Sequence, residues 1–337
     1  MNESDSEMVA GWYEQKNWQK TENIGQADEI VINTCSVRES AENRVFGLVH
    51  NLAKDLTKGK HPKIILTGCM LRYSLRWLRE NLPEVDEFKK INEFSGGLKR
   101  KIRESKTLAY IPIMEGCNNF CSYCVVPYAR GREVSRPLEE IICETKELVD
   151  RGYTQVMLLG QNVNSYGKDF SKKGARKTNN FANLLCQIHK LAKIKKISFL
   201  TSNPWDLDEE IIEAMSLPKI DRYLHLPVQS GSDIILKKMN RRYSAKEYLD
   251  LIKKIREKIT DIQIGTDIIV GFPGETNKEF KETLALCKKV NFIKAYVAMY
   301  SPRMQTAAYK MKNDVSPTEK RKRWKILDNL INKKQRR

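Results

Sequence analysis

Three cysteines near the middle of the chain have a spacing typical of an iron–sulfur site. Cys117, Cys121 and Cys124 form a C-x3-C-x2-C pattern within eight residues. Zinc sites usually have four ligands, often arranged as two pairs, and the four histidines of the chain lie in no such pairing. Three thiolates on a four-iron cluster leave one iron without a protein ligand. The spacing therefore favours an iron–sulfur centre over a zinc site, and over cysteines that only pack in a core.

Two further cysteines occupy matching places in the N-terminal region. Cys35 and Cys69 each follow closely on a short apolar run typical of a buried strand, at 29–33 and 63–67. A single cysteine in such a place is most often a small buried hydrophobe. Their equivalent positions, in a chain that already has a cluster motif, predict a second cluster. The remaining three cysteines are interpreted as core residues on helices: Cys143, Cys186 and Cys287.

The C-x3-C-x2-C motif directly follows the first of six predicted strands, each of which is followed by a predicted helix. Strands are predicted at 108–114, 155–159, 197–201, 222–226, 264–272 and 294–300. Helices are predicted between and after them, at 138–151, 180–192, 208–215, 245–258 and 277–290. Repeated β-then-α steps indicate a parallel sheet curled into a full or partial barrel, with its chemistry at the carboxyl ends of the strands.

The patterns divide the chain into three regions. Residues 1–95 carry short βα units and predict an open α/β domain, and 103–310 form the barrel-like core. A charged stretch with two glycines, 89–106, is interpreted as a linker, and 168–179 as an exposed loop. Residues 311–337 include a basic helix with an apolar stripe, which is typical of a docked helix with a solvated cationic face.

The composition is strongly basic for a globular chain. Sixty lysine and arginine residues against 42 acidic residues give a net charge of +18, and 41% of residues are hydrophobic. Such a chain can bury a core, which argues against disorder. No long apolar run is present and the N-terminus is acidic, so we expect no membrane segment and a cytoplasmic protein. On charge alone, nucleic-acid binding and a merely solvated basic surface are equally supported.

Five longer strings carry a resemblance to a known family. They are Asn33–Arg38, Gly116–Arg136, Leu159–Tyr166, His225–Ser232 and Thr266–Glu275. Together they resemble the methylthiotransferases of the radical S-adenosylmethionine (SAM) superfamily, nearly from end to end. The strings around residues 33–39 and 159–166 favour the group that modifies N6-isopentenyladenosine beside the anticodon of tRNA. Groups acting on threonylcarbamoyladenosine or on a ribosomal-protein aspartate are alternatives.

The resemblance implies a fold, two clusters and a radical reaction. The expected fold is an N-terminal open α/β methylthiotransferase domain followed by a radical SAM (βα)6 partial barrel. Cys117, Cys121 and Cys124 would hold a [4Fe–4S] cluster with SAM on its open iron, and Cys35 and Cys69 an auxiliary [4Fe–4S] cluster. One SAM would give the radical that removes hydrogen from adenine carbon 2, the auxiliary cluster the sulfur, and a second SAM the methyl group. The implied partners are tRNA and an electron donor of the ferredoxin or flavodoxin type, with the chain as a monomer.

The resemblance also places further residues near the cofactor. Tyr123 is expected near the adenine of SAM, and Gly160 and Gln161 near its methionine end. Ser202 and Gln229, after later strands, are expected to line the same pocket. Simple strand-end turns are the alternative for these positions. Three arginines that follow the motif are expected either to meet RNA phosphate or to form structural ion pairs: Arg130, Arg132 and Arg136.

The sequence departs from the family pattern at both ends. Family members have a third N-terminal cysteine in a G-C-Q-M-N string. This chain matches that string only from its methionine onward, beginning at Met1. If Met1 is the true start, the auxiliary cluster is incomplete and the chain would be a one-cluster radical enzyme. We favour a start placed at an internal methionine, because no other motif is degraded. The usual C-terminal RNA-binding domain, TRAM, is not found. A non-catalytic RNA-binding protein is disfavoured by the intact cysteine motif.

Overall fold

The computed structural model describes residues 1–55, 61–95, 102–103, 105–170 and 180–333. The chain forms two compact units, which alternate along the sequence. Unit 1 comprises residues 1–106 and 125–131, and unit 2 comprises 107–124 and 132–337. Within the described residues, no helix has both the length and the apolar character that crossing a membrane requires.

Unit 1 is built on a small parallel sheet. Its strands are β1 (Glu29–Thr34), β2 (Lys63–Gly68) and β3 (Glu87–Phe88), and β2 lies in the centre. Its helices are α1 (Asn2–Glu14), α2 (Glu39–Asp55), α3 (Leu75–Asn81) and α4 (Val126–Arg130). The core includes four fully buried side chains from β2, α2, α3 and the turn after β2: Val49, Leu66, Met70 and Leu78. The prediction of an open α/β unit is confirmed.

The stretch that the sequence indicates as a linker is partly folded. Residues Ile91–Phe94 form a short 3-10 helix. Phe94 is fully buried, and it packs in one cluster with Val9 and Ile65. The linker prediction is therefore wrong for these residues, because Phe94 contributes to the core of unit 1. Residues 96–101 and 104 of the same stretch lie outside the described residues.

Unit 2 contains six parallel strands in two connected groups. The first group is β4 (Leu108–Pro112), β7 (Gln155–Leu159) and β8 (Lys196–Phe199), and the second is β9 (Tyr223–His225), β10 (Gln263–Val270) and β11 (Lys294–Met299). Ile197 of β8 joins them, since its N–H donates to Lys219 O (2.8 Å) and its carbonyl accepts from Asp221 N (2.9 Å). An antiparallel pair, β5 (Met114–Glu115) and β6 (Val134–Ser135), stands apart. The predicted (βα)6 partial barrel is confirmed.

Seven helices of unit 2 follow its strands among the described residues. They are α5 (Leu138–Asp150), α6 (Phe181–His189), α7 (Glu209–Met215), α8 (Asp233–Lys238), α9 (Ala245–Lys258), α10 (Asn277–Val290) and α11 (Pro317–Ile331). Helices α9 and α10 begin with capping boxes, Ser244 with Glu247 and Thr276 with Glu279, which satisfy the first free N–H groups. Of the predicted exposed loop, 168–179, residues 171–179 lie outside the described residues.

Helix α11 covers the outer edge of strand β11. The Trp324 indole N–H donates to Val297 O at 2.9 Å. The Asn332 side-chain amide accepts from Ala295 N (3.0 Å) and donates to Ala295 O (2.8 Å), as a neighbouring strand would. An unpaired strand edge is a template for unwanted pairing. These side chains therefore close part of that edge.

Two cations of α11 are buried, whereas the sequence predicts a docked helix with a solvated cationic face. Arg323 makes a 2.7 Å ion pair with Glu275, and the two side chains are 4% and 1% exposed. Lys320 donates to Tyr300 O at 3.0 Å, and its side chain fills the space beside Gly271. A Cβ on Gly271 would lie 2.3 Å from Lys320 Cγ. That part of the prediction is wrong, because these cations hold the turn that follows β10.

Candidate iron–sulfur and cofactor site

The three clustered cysteines lie on a loop beyond the carboxyl end of β4. Cys117 is buried, and Cys121 and Cys124 are partly exposed. Cys124 N donates to Cys121 O at 2.9 Å, so the loop turns tightly between its second and third cysteine. All eight cysteines of the chain belong to the described residues, and none of them forms a disulfide.

The cysteine loop is anchored to the end of helix α8. Ser122 N donates to Met239 O (3.0 Å), and Ser122 Oγ donates to Lys238 O (2.8 Å). The Asn240 side-chain amide donates to Asn119 O (3.3 Å) and to Phe120 O (3.0 Å). Because these bonds reach backbone atoms between the cysteines, they fix where the sulfur atoms project.

One side-chain amide and one carboxylate hold the start of the same loop. Gln161 Oε1 accepts from Gly116 N at 2.6 Å, and Glu133 Oε1 accepts from Asn118 N at 3.2 Å. Gln161 thus supports the cysteine loop directly. A Cβ on Gly160 would lie 2.6 Å from Met114 Cγ, so only glycine permits this approach of the strand end to β5.

The thiol donor set fits a four-iron cluster better than a single metal ion. Burial raises the pKa of Cys117 to about 12, so iron must displace its proton on binding. Among the described residues, no three His, Cys, Asp or Glu side chains converge as a site for one ion. A cluster places each thiolate on a separate iron, so its ligands need not converge on one point. The guanidinium of Arg241 lies 3.4 Å from Cys121 Sγ and donates a hydrogen bond to it.

Buried polar atoms without partners lie beyond the carboxyl ends of β8 and β9. Ser202 Oγ, Asn203 Oδ1 and Gln229 Oε1 find no hydrogen-bond partner within the part of the chain that the structure describes. Gln229 has a φ of +66°, which is costly for a residue with a side chain. Buried polar atoms are normally paired. These atoms therefore fit a polar ligand such as SAM, which presents amino, carboxylate, hydroxyl and adenine groups.

Tyr123 lies beside this region, in a small aromatic cluster. Its ring meets the Phe272 ring edge-on, with 6.5 Å between centroids, and Phe272 packs in turn on Tyr300. Burial raises the pKa of Tyr123 well above its usual value, so its hydroxyl stays protonated. Ser230, which directly follows Gln229, is fully buried, and its Oγ lies 3.3 Å from Thr283 Oγ1.

Cys35 and Cys69 lie at one edge of the sheet in unit 1. Thr34 and Gly68 are partners in the β1–β2 register, and each cysteine follows directly. Thr34 Oγ1 donates to Thr67 O (2.6 Å) and accepts from Met70 N (3.0 Å), which ties the two strand ends together. The structure thus brings the two predicted auxiliary ligands to neighbouring strand ends.

A buried polar network backs the two auxiliary cysteines. Arg72 Nε donates to Ser36 Oγ at 2.7 Å, and an Arg72 Nη2 lies 3.4 Å from Glu42 Oε1. Tyr73 OH donates to Glu42 Oε2 at 3.1 Å. All four residues are buried, so the network fixes the segments that follow Cys35 and Cys69.

Two of the three arginines that follow the motif form structural ion pairs. Arg130 pairs with Asp5 at 2.5 Å, and both side chains are under a tenth exposed. Arg136 pairs with Glu144 at 2.8 Å. For Arg130 and Arg136, the structure therefore shows the ion pairs that were one of the two expectations.

Several supporting residues could not be identified from the sequence. Glu133 and Asn240 hold the cysteine loop from sequence distances of 15 and about 120 residues. Arg241 belongs to an Asn-Arg-Arg-Tyr run, which by itself indicates an exposed cationic turn. The only signal was the aromatic Tyr243 nearby, which is too common to point to a site.

Comparisons with known families match both units. A profile described as "Radical SAM superfamily" matches residues 111–287, and one described as "Uncharacterized protein family UPF0004" matches residues 1–89. The chain is 41% identical over 364 aligned residues to the tRNA-2-methylthio-N(6)-dimethylallyladenosine synthase of Clostridium perfringens (strain SM101 / Type A), covering 99% of this chain and 80% of that protein. The synthase of the same name from Thermoanaerobacter sp. (strain X514) is 44% identical, with coverages of 99% and 76%.

Solved structures of low identity share the fold. The radical S-adenosylmethionine methyltransferase TsrM of Kitasatospora setae superposes with a TM-score of 0.59 at 13% identity, over 88% of this chain and 71% of its own. The cobalamin-dependent radical enzyme OxsB superposes with a TM-score of 0.56 at 12% identity, over 98% and 53%. At such identities the likeness concerns the fold alone.

Proposed function

The chain belongs to the family of tRNA-2-methylthio-N(6)-dimethylallyladenosine synthases within the radical SAM superfamily, and from this membership we propose how its residues divide the work. The reaction is transfer of a methylthio group to carbon 2 of N6-dimethylallyladenosine in tRNA. The observation that carries the proposal is the cysteine loop, Cys117–Cys124, held rigidly at the carboxyl edge of a parallel (βα)6 sheet. A loop in that place is where barrel enzymes keep their reacting groups.

Cys117, Cys121 and Cys124 are the proposed ligands of the radical [4Fe–4S] cluster. When bound, the cluster and SAM would supply radical chemistry, which removal of a carbon-bound adenine hydrogen requires. Because three protein thiolates leave one iron open, the site keeps a position for SAM.

The chain's own residues hold and shield the cofactor in this proposal. Ser202 and Gln229 offer unpaired buried polar atoms to SAM, and Tyr123 presents an apolar face with a protonated hydroxyl. Gly160 permits close packing and Gln161 fixes the loop at Gly116. Orientation by such preset contacts lowers the entropic cost of bringing reactants together.

Unit 1 is proposed to hold the auxiliary [4Fe–4S] cluster, with Cys35 and Cys69 among its ligands. The support is their placement at paired strand ends, backed by the buried network of Arg72 and Glu42. We assign residues 1–95 to this domain, 103–310 to the radical core and 311–337 to the basic helical end.

The proposed partners are tRNA, as the substrate, and a one-electron donor of the ferredoxin or flavodoxin type. The protein itself is proposed to be a cytoplasmic monomer. A net charge of +18 favours contact with the phosphates of an RNA substrate. A low-potential protein donor matches the need to deliver single electrons to a cluster.

Iron and sulfide counting on anaerobically reconstituted protein tests the proposal. About eight irons per chain are expected for two four-iron clusters, and about four for one. Cys117→Ala, Cys121→Ala and Cys124→Ala should each remove about four irons and abolish methylthiolation of tRNA, read by mass spectrometry of its nucleosides. Cys143→Ala is the matched control, because this cysteine belongs to neither set and is exposed, so its interpretation as a core residue is wrong. An iron-free wild-type protein would contradict the proposal.

A further inference from the structure

Arg241 links the cysteine loop to the strand end that lines the cofactor region. Its guanidinium donates in three directions: Nη1 to Cys121 Sγ (3.4 Å), Nη2 to Pro227 O (2.9 Å) and Nε to Tyr243 OH (3.1 Å). Its plane also lies 4.7 Å from the Trp205 ring centroid, within cation–π range. All three guanidinium nitrogens are thus committed, and the group has one defined position.

The acceptors of Arg241 are themselves fixed. Tyr243 OH donates to Val228 O at 2.8 Å and lies 3.3 Å from Pro227 O. These two carbonyls immediately precede Gln229, whose side-chain oxygen is buried and unpaired among the described residues. Arg241 therefore holds the second cysteine and the segment before Gln229 at a set separation.

We propose that Arg241 is a positioning residue that hydrogen-bonds the Cys121 sulfur of the radical cluster and makes the cluster easier to reduce. The inference rests on the proposed iron–sulfur function. A donor hydrogen bond and a positive charge stabilise the reduced cluster more than the oxidised one, because reduction adds negative charge. Planar, bidentate donation is a property of arginine that lysine lacks.

The expected effect is a fall in the equilibrium constant for one-electron reduction when Arg241 is lost. A hydrogen bond to a charged group is stronger than one between neutral groups, and part of that strength is specific to the reduced state. We expect Arg241→Gln to lower the constant about tenfold, which corresponds to about 59 mV for a one-electron couple. The iron content should stay near that of the wild type, since all three thiolates remain.

The experiment is a redox titration of the radical cluster, followed by electron paramagnetic resonance, in Cys35→Ala/Cys69→Ala protein so that the auxiliary signal is removed. The neighbouring Arg242 provides the matched control: it is exposed, and its guanidinium lies 5.8 Å from the same Trp205 ring. Arg242→Gln removes the same charge one residue away and should leave the midpoint potential at the wild-type value.

Each outcome separates this inference from the proposed function. A protein without a reducible cluster before any change at Arg241 refutes the iron–sulfur function itself. A loaded Arg241→Gln protein whose midpoint equals that of Arg242→Gln overturns only the role of Arg241. Should Arg241→Gln not fold, Arg241→Lys retains the charge but not the three-way donation. Its midpoint should also fall below that of the wild type, and an unchanged value would equally reject the proposal.

Discussion

At the scale of single residues, Gly68 shows how one backbone position shapes the end of strand β2, directly before Cys69. It has a φ of +89°, and a Cβ there would lie 2.5 Å from Thr34 O, which is a backbone atom that cannot move aside. We expect Gly68→Ala to destabilise unit 1 by about 2 kcal/mol or more, from the left-handed backbone together with the clash. Urea unfolding of the apo-protein measures this loss.

Gly131 is the matched control for that prediction. Its φ is +78°, but nothing lies within 4 Å of a Cβ placed there. Gly131→Ala should therefore show only the backbone cost, about 1–3 kcal/mol, and a smaller loss than Gly68→Ala. Equal losses in the two variants would mean that the contact with Thr34 O is unimportant.

At the scale of elements, the cover on strand β11 is a testable feature. Asn332→Ala removes two hydrogen bonds to Ala295 and leaves that edge open. We expect a loss of about 1–3 kcal/mol in stability and faster aggregation on mild heating, because open edges pair with other chains. Light scattering during a thermal ramp measures the second effect. Asn329→Ala, exposed on the same helix, should behave as the wild type.

The elements that the sequence predicts best are those with strong local signals. Strand β7 and helices α9 and α10 have the predicted bounds, since an apolar run or a capping box marks each. Helix α4, with five residues, and helix α8, with six, were missed because so few residues give no periodicity.

The sequence predicts where the cysteines gather, but it does not predict the residues that support them. The cysteine positions follow from spacing and from strand ends, which are local features. Contacts such as Arg241 with Cys121, 120 residues apart, depend on the tertiary fold. Likewise, nothing in the sequence around Arg130 indicates that Asp5, 125 residues away, is its partner.

At the scale of the whole molecule, the basic charge predicts a salt-dependent affinity for tRNA. Contacts to phosphates release counterions, so the logarithm of the binding constant should fall linearly with the logarithm of salt concentration. For about six phosphate contacts, the loss between 50 and 200 mM salt is on the order of a thousandfold. Filter binding across a KCl series measures the slope, with thermal unfolding at each salt as the control for folding. A flat response would argue against an electrostatic role for the +18 charge.

The chain passes from unit 1 into unit 2, returns to unit 1 and then completes unit 2, which limits how this protein can be divided into fragments. Residues 125–131 belong to unit 1, although unit 2 supplies the residues on either side of them. A fragment that stops at residue 106 would lose α4, and the nearly buried carboxylate of Asp5 would lose Arg130. No single cut therefore yields both units intact. Exchange of the N-terminal unit between related enzymes, by recombination or by design, must also carry the seven residues of unit 1 that interrupt the sequence of unit 2 near its start.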